Sequence, residues 1–104
     1  MNDIEFCRIL EIETATLNIW VEERWIIPVG ADGTSSYGDA DVARGRLILD
    51  LVRTMGVNEA GVDVVVDLVD QLHTLREQMR LVMDAIRQQD VTVQRSLRKA
   101  LDGR

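Results

Sequence analysis

The sequence has little of what enzymes and metal sites are built from. Its 104 residues include one cysteine (Cys7), one histidine (His73), one proline and four aromatic residues. A single cysteine excludes an internal disulfide framework, and one thiol with one imidazole falls short of the nitrogen and sulfur ligands of a zinc site. Gly30 and Gly33 stand in a turn that lacks the lysine of a phosphate-binding loop. We therefore predict a non-enzymatic protein with no catalytic residue, no metal and no cofactor.

Long apolar runs are missing as well. No stretch approaches the roughly 20 apolar residues that cross a bilayer, and residues 1–5 lack the basic and then apolar pattern of a signal peptide. The length and a hydrophobic content of 46% suit one globular domain with a modest core. We expect a cytoplasmic protein with no membrane partner.

Positive charge is scarce where a DNA reader would need it. The net charge is −6, and residues 13–37 hold a single cation, Arg24, against Glu13, Glu22 and Glu23 nearby. A helix that enters a DNA groove offsets phosphate charge mainly with arginine and lysine. The acidity instead favours a basic protein surface as the partner, and DNA binding is not expected.

Two short helices are predicted at the start of the chain. Asn2 and Glu5 have the form of a capping box, which places helix 1 at about residues 3–10. Helix 2 is expected to begin at Glu13 or Thr14. Spacings of three and four give the apolar residues of the two helices: Ile4, Phe6, Cys7 and Leu10, then Leu17, Trp20 and Val21.

A small β-wing is predicted at about residues 26–37. Pro28 ends helix 2, and residues 25–27 and 36–37 are expected to pair around a turn at 31–35. The wing contains no lysine or arginine. Helix 3 follows at about 41–54, with Gly56 after its end and Asn58 as the cap of the next helix. Its expected apolar surface comprises Val42, Leu47, Leu49, Val52 and Met55.

A long helix at about residues 59–89 carries an apolar heptad pattern. The pattern is made of Val65, Leu68, Leu72, Leu75, Met79, Val82 and Ile86. Such a stripe needs a partner helix, so we predict a homodimer whose contacts are Leu72, Leu75, Met79, Val82 and Ile86. On the other side, Asp63, Asp67 and Asp70 follow at i, i+4 and i+7. They either dock a basic partner or form a solvated outer face.

The tryptophans, the single cysteine and histidine, and the basic C-terminal tail are further candidates for a functional role. Trp20 and Trp25 either close the core between helix 2 and the wing or anchor a protein interface. Cys7 reads as a small buried apolar residue and His73 as a solvated one. Residues 91–104, with one acid and four bases, form a basic tail in which helical order is expected to fade after about Gln89. That tail is either a solvated end or a weak site for a membrane or nucleic acid.

Four segments of the sequence resemble a known family. Residues 2–7 (NDIEFC), 25–28 (WIIP), 37–43 (YGDADVA) and 55–62 (MGVNEAGV), with LVDQL at 68–72, follow in the order found in the CbpM branch of the MerR-like proteins. The resemblance covers roughly residues 2–80. Residues 10–11 (Leu-Glu) depart from it, because these proteins commonly end the first turn in glycine there.

The resemblance implies a fold and a function. The expected fold is mainly α: a MerR-like winged helix-turn-helix with a small β-wing and a long C-terminal coiled-coil-like helix, forming one domain at 1–90 before the tail. CbpM-type proteins bind the J-domain of a DnaJ/CbpA-like co-chaperone and inhibit its stimulation of a DnaK-type chaperone. The J-domain presents a basic helix and a His-Pro-Asp loop, and Asp63, Asp67 and Asp70 are the carboxylates that we expect to meet it.

Two other functions stay open at this stage. One is a MerR-like transcription regulator that reads DNA with helix 2 and the wing, although that region holds only one cation. The other is a subunit whose long helix completes a larger complex.

Overall fold

The computed structural model describes residues 1–30 and 34–103. Over these residues the chain is mainly helical, as predicted. It forms α1 (Asp3–Leu10), α2 (Thr14–Glu22), α3 (Asp39–Leu49), a π-helical segment (Asp50–Thr54), α4 (Glu59–Arg87) and α5 (Val91–Asp102). The chain divides into two compact units, Met1–Val66 and a second that begins at Asp67.

The turn between α1 and α2 is closed without glycine. α1 begins at the predicted cap, where Asn2 Oδ1 accepts from the Glu5 backbone N–H at 2.9 Å. It ends at Glu11, which adopts the left-handed conformation (φ 55°, ψ 48°). The Glu11 N–H donates to the Arg8 carbonyl and the Ile12 N–H to the Cys7 carbonyl, at 3.2 and 3.0 Å. These are the bonds of a helix C-cap that glycine usually occupies, so Glu11 makes the turn at some cost in strain.

The core of the first unit collects side chains from every element before α4 and from the start of α4. All four aromatic residues are in it, and the Tyr37 ring stacks on Phe6 with a centroid distance of 4.4 Å. Leu17 and Trp20 are buried as predicted for α2. Trp25 is buried as well, so both tryptophans belong to the core. The buried residues are Phe6, Cys7, Leu10, Ile12, Leu17, Trp20, Trp25, Ile26, Tyr37, Ile48, Leu51, Val62 and Val66. Ile4, expected on the apolar face of α1, is 68% exposed.

The third helix differs in bounds and in its buried face. α3 starts at Asp39, where Asp41 Oδ2 accepts from the Gly38 N–H at 2.9 Å, and the chain becomes π-helical from Asp50. Val42, Leu47 and Leu49 pack partly buried against the core. The buried residues are Gly45, Ile48 and Leu51, whereas Val52 and Met55, predicted to be apolar contacts, are exposed. The π-helical segment contains an extra residue per turn, which moves these side chains off the α-helical face.

The predicted wing of paired strands is not formed among the described residues. The N–H groups of Trp25 and Ile26 both donate to the Trp20 carbonyl, at 2.9 and 3.3 Å, so these donors are not available for strand pairing. The pairing that does occur is one antiparallel bridge between Val29 and Ser36, with N–H···O distances of 3.1 and 2.7 Å. Of the turn expected at residues 31–35, residues 31–33 lie outside the described residues. Within the described chain, the wing is therefore reduced to a single bridge.

The long helix begins as predicted. Gly56 has φ +67° after the π-helical segment, and Asn58 Oδ1 accepts from the Gly61 N–H at 2.8 Å. α4 then runs for 29 residues to Arg87, close to the predicted end. Its first two turns contribute Val62 and Val66 to the core of the first unit.

The basic tail is helical, contrary to the expectation that helical order fades after Gln89. α5 begins at Val91 because Asp90 Oδ1 accepts from the Val93 N–H at 2.9 Å, and this cap offsets the low helix propensity of the β-branched residues. Its apolar residues Val93, Leu97 and Leu101 repeat every four positions. None of the residues of α5 is buried.

Candidate functional site

The outward side of α2, where a helix-turn-helix protein would present its DNA-reading residues, carries no cation. Asn18 and Glu22 are exposed, and Ile19 between them is 48% exposed. The nearby Arg24 is exposed just beyond the helix, in a left-handed conformation with φ 61°. Offsetting several phosphates requires a set of cations, and this face offers acids and an apolar side chain instead.

Charge is divided unequally between the two units. Residues 1–66 contain twelve acids and five bases, whereas residues 67–104 contain six acids and seven bases. The negative charge of the protein therefore lies in the first unit. A field of this sign attracts basic surfaces and repels nucleic acid.

Asp63 has a structural partner that the sequence did not reveal. Its Oδ1 accepts a hydrogen bond of 2.5 Å from Nε1 of Trp25, 38 residues earlier. The carbonyl of Trp25 in turn accepts from Nε of Arg44. Since Trp25 is only 4% exposed, Asp63 satisfies a donor at the edge of the core, and it also fixes the orientation of the indole.

Asp67 and Asp70 belong to the second unit and are exposed. Asp67 Oδ2 accepts from Nε2 of Gln71 one turn further along α4, at 2.8 Å. Asp70 lies beside Leu68 and Leu72 at a shallow depression on the helix. The Asp70 carboxylate is therefore next to apolar side chains, a combination suited to a protein contact.

The predicted dimer stripe is exposed within the second unit. Exposed fractions are 45% for Leu72, 57% for Leu75 and Met79 and 54% for Val82, and Ile86 is half-buried. Exposed apolar stripes of this kind are typical of interaction surfaces. The ion pairs along the same helix join Arg80 to Glu77, Arg80 to Asp84 and Arg87 to Asp84. They are exposed, so each stabilises the helix little.

A cleft in the first unit was missed by the sequence reasoning. It has a volume of about 380 Å³ and is lined by Thr16, Ile19, Trp20, Trp25, Val52, Val57, Asn58 and Glu59. The two indoles are buried, while Ile19 and Val52 are 48% and 43% exposed at its mouth. The sequence feature that could have indicated this cleft is Ile19, an apolar residue that does not share the buried face of α2 with Leu17 and Trp20.

The titratable groups of the core are held in their neutral forms. Burial raises the pKa of the Tyr37 phenol, and a hydrogen bond with Asp3 adds to the effect. Burial also raises the pKa of the Cys7 thiol, with the charge of Asp3 as a second cause. A cysteine with a raised pKa is a weak nucleophile.

The described part of the chain shows neither a metal cluster nor a membrane span. Over residues 1–30 and 34–103, no three histidine, cysteine or acidic side chains come together as metal ligands. His73 is exposed on α4. None of the helices in these ranges is both long and apolar enough to cross a bilayer.

Comparison with known proteins adds a family. A family model described as MerR HTH family regulatory protein matches residues 3–83, a span that runs from α1 to near the end of α4. Curated proteins and solved structures gave no match. The matched region includes α1, α2, the bridged segment, α3 and most of the long helix, in the order that the sequence predicted. The chain belongs to the MerR helix-turn-helix family of regulatory proteins.

Proposed function

We propose that this chain is a non-enzymatic, cytoplasmic modulator that binds the J-domain of a DnaJ/CbpA-like co-chaperone. Bound there, it prevents the co-chaperone from stimulating a DnaK-type chaperone. The observation that supports this best is the cation-free outward side of α2 on a helix-turn-helix scaffold. A DNA-reading fold with acidic and apolar side chains at its reading surface is suited to a basic protein partner.

The docking carboxylates in this proposal are Asp63, Asp67 and Asp70 on α4. Asp63 also holds the Trp25 indole, so a change at Asp63 affects folding as well as docking. Asp67 and Asp70 are exposed and lie outside the core. They are the residues through which docking is tested without disturbing the first unit.

A titration of the full chain with the J-domain at low and at raised salt tests the proposal. Saturable binding that weakens with salt is expected, because exposed charges are screened. The variant with Asp67→Lys and Asp70→Lys should bind more weakly. Its matched control, Glu11→Lys with Asp102→Lys, makes the same change in net charge at two exposed residues outside α2 and α4 and should bind like the wild type.

The outcomes separate three cases. An absence of binding at low salt rejects the J-domain as partner. Undiminished binding by the Asp67 and Asp70 variant rejects those residues as the docking site. Equal losses in both variants assign the effect to net charge instead of to a defined surface.

Homodimerisation through Leu72, Leu75, Met79, Val82 and Ile86 is part of the proposal. The exposure of Leu72, Leu75, Met79 and Val82 supports it, because a stripe of this length is stabilised by a second helix. Sedimentation of the wild type and of a Leu75→Ser, Met79→Ser variant tests it. A dimer is expected for the wild type and a monomer for the variant, and a monomeric wild type would refute this part.

The second candidate is a DNA-binding transcription regulator, which the match to the MerR HTH regulatory family favours. A gel-shift experiment at low salt distinguishes it. Tight, sequence-selective binding of duplex DNA would support this candidate and overturn the preference for a protein partner.

A further inference from the structure

The cleft between α2, the π-helical segment and the first turn of α4 is apolar and open to solvent, and hydrogen bonds fix part of its floor. Two tryptophans form the floor, and the one at position 25 is held by two bonds. Its indole N–H donates to Asp63 and its carbonyl accepts from Arg44. A volume of about 380 Å³ is at the lower end of the range of small binding sites, about 300–1,000 Å³.

The lining specifies the chemistry of an occupant. Ile19 and Val52 at the mouth leave large fractions of their side chains in water, and covering them favours an apolar group. Among the described residues that line the cleft, Glu59 is the one that carries a charge. The cations nearest in sequence, Arg24 and Arg53, are exposed and do not line the cleft. The unit around it has twelve acids and five bases.

We propose that this cleft binds an apolar side chain presented by a cationic helix of the partner protein, with a cation of that helix beside Glu59. The inference rests on the proposed function in taking a basic protein as partner. It adds a second contact, because the cleft belongs to the first unit whereas Asp67 and Asp70 belong to the second. An apolar anchor in a desolvated pocket typically carries much of the energy of an interface.

The chain contains its own probe for this site. Trp20 and Trp25 are its only tryptophans, and both line the cleft, so its intrinsic fluorescence reports on occupancy directly. The full chain is titrated with an 18-residue amphipathic peptide of leucine and lysine that lacks aromatic residues. The same peptide with glutamate in place of lysine is the charge control, and one with alanine in place of leucine is the anchor control.

Of the three peptides, only the leucine-lysine peptide is expected to give a saturable fluorescence change, and its affinity should fall as salt rises. Val52→Glu should reduce the affinity about tenfold, since it places a carboxylate where the apolar group binds. Its matched control is Val64→Glu, at a valine of the same unit that is 58% exposed and outside the lining. That control should bind like the wild type, and circular dichroism confirms that both variants are folded.

Three results would overturn the inference: no saturable change with any peptide, equal binding of the glutamate peptide, or equal affinities for the Val52→Glu and Val64→Glu variants. A fluorescence change on diluting the protein alone would assign the cleft to a second copy of the chain. J-domain binding that Val52→Glu leaves intact rejects the cleft and keeps the proposed function. Peptide binding at the cleft without J-domain binding keeps the cleft and rejects the proposed function.

Discussion

Replacing Asp63 with alanine should destabilise the first unit through the loss of one hydrogen bond. Trp25 is 4% exposed, and its Nε1 donates to Asp63 Oδ1 at 2.5 Å. Without that acceptor the indole N–H stays at the edge of the core with no protein partner, which costs about 1–3 kcal/mol. For a cooperative unit of this size, that loss lowers Tm by about 4–8 °C per kcal/mol.

Urea unfolding followed by tryptophan fluorescence measures the effect. Asp63→Asn keeps an oxygen that accepts the bond, so it should recover most of the lost stability. Asp67→Ala is the matched control on the same helix, because Asp67 is exposed and accepts only from the neighbouring Gln71 among the contacts of the described chain. That substitution should change the free energy of unfolding by no more than about 0.5 kcal/mol.

The comparison also separates folding from docking at Asp63. If Asp63→Ala unfolds at the same urea concentration as Asp67→Ala, the bond to Trp25 does not stabilise the protein and the reasoning fails. If Asp63→Ala also destabilises a chain that carries Trp25→Phe by the full amount, the effect does not pass through the indole.

Three further predictions test the fold. Glu11→Gly should raise the free energy of unfolding by about 0.5–1 kcal/mol, because glycine adopts the φ of 55° at this position without strain. The control Glu5→Gly, inside α1, should lower the free energy of unfolding by a similar amount. A loss of stability with Glu11→Gly would contradict the assigned turn. Gly45→Ala should destabilise by about 1 kcal/mol in thermal melts, because the new Cβ would stand 2.5 Å from Cδ1 of the buried Leu10. A gain in stability would contradict this and would show that the Leu10 side chain moves aside at little cost. Burial and a hydrogen bond with Asp3 keep the Tyr37 phenol protonated in the folded state above its ordinary pKa of 10.0. The ionisation of Tyr37 should therefore leave the free energy of unfolding unchanged below pH 10 and lower it above pH 10, by up to about 1.4 kcal/mol per pH unit. Tyr37→Phe should flatten this fall, and an unchanged slope would refute the assignment.

Local signals predicted the starts of α1 and α4 and the core of α2. Asn2 and Asn58 cap α1 and α4 because their side chains reach a backbone N–H three residues on, which depends on adjacent sequence alone. Leu17 and Trp20 are buried because their spacing places them on one side of a helix. These features need no knowledge of the rest of the chain.

Other features depend on contacts that sequence spacing does not encode. The hydrogen bond between Trp25 and Asp63 joins residues 38 positions apart, so the carboxylate looked like a free member of an acidic stripe. The π-helical segment changed the buried register near its start, and Val52 thereby became part of the cleft instead of the core. The predicted wing assumed that Trp25 and Ile26 were strand residues, but their N–H groups donate to the Trp20 carbonyl at the end of α2.

The basic tail shows how one residue overrides a propensity. Val91 and Val93 are poor helix formers, yet Asp90 caps a helix there. A side-chain cap stabilises a helix by about 1 kcal/mol, which offsets the low propensity of the following residues.

The central proposal is that this MerR-like scaffold binds a J-domain instead of DNA. It is tested most directly by the ATPase rate of the DnaK-type chaperone, stimulated by the DnaJ/CbpA-like co-chaperone, as this chain is added. The rate is expected to fall to the unstimulated level, and the variant with Asp67→Lys and Asp70→Lys should require a higher concentration to do so. A rate that stays fully stimulated at saturating concentrations of the wild-type chain would contradict the claim.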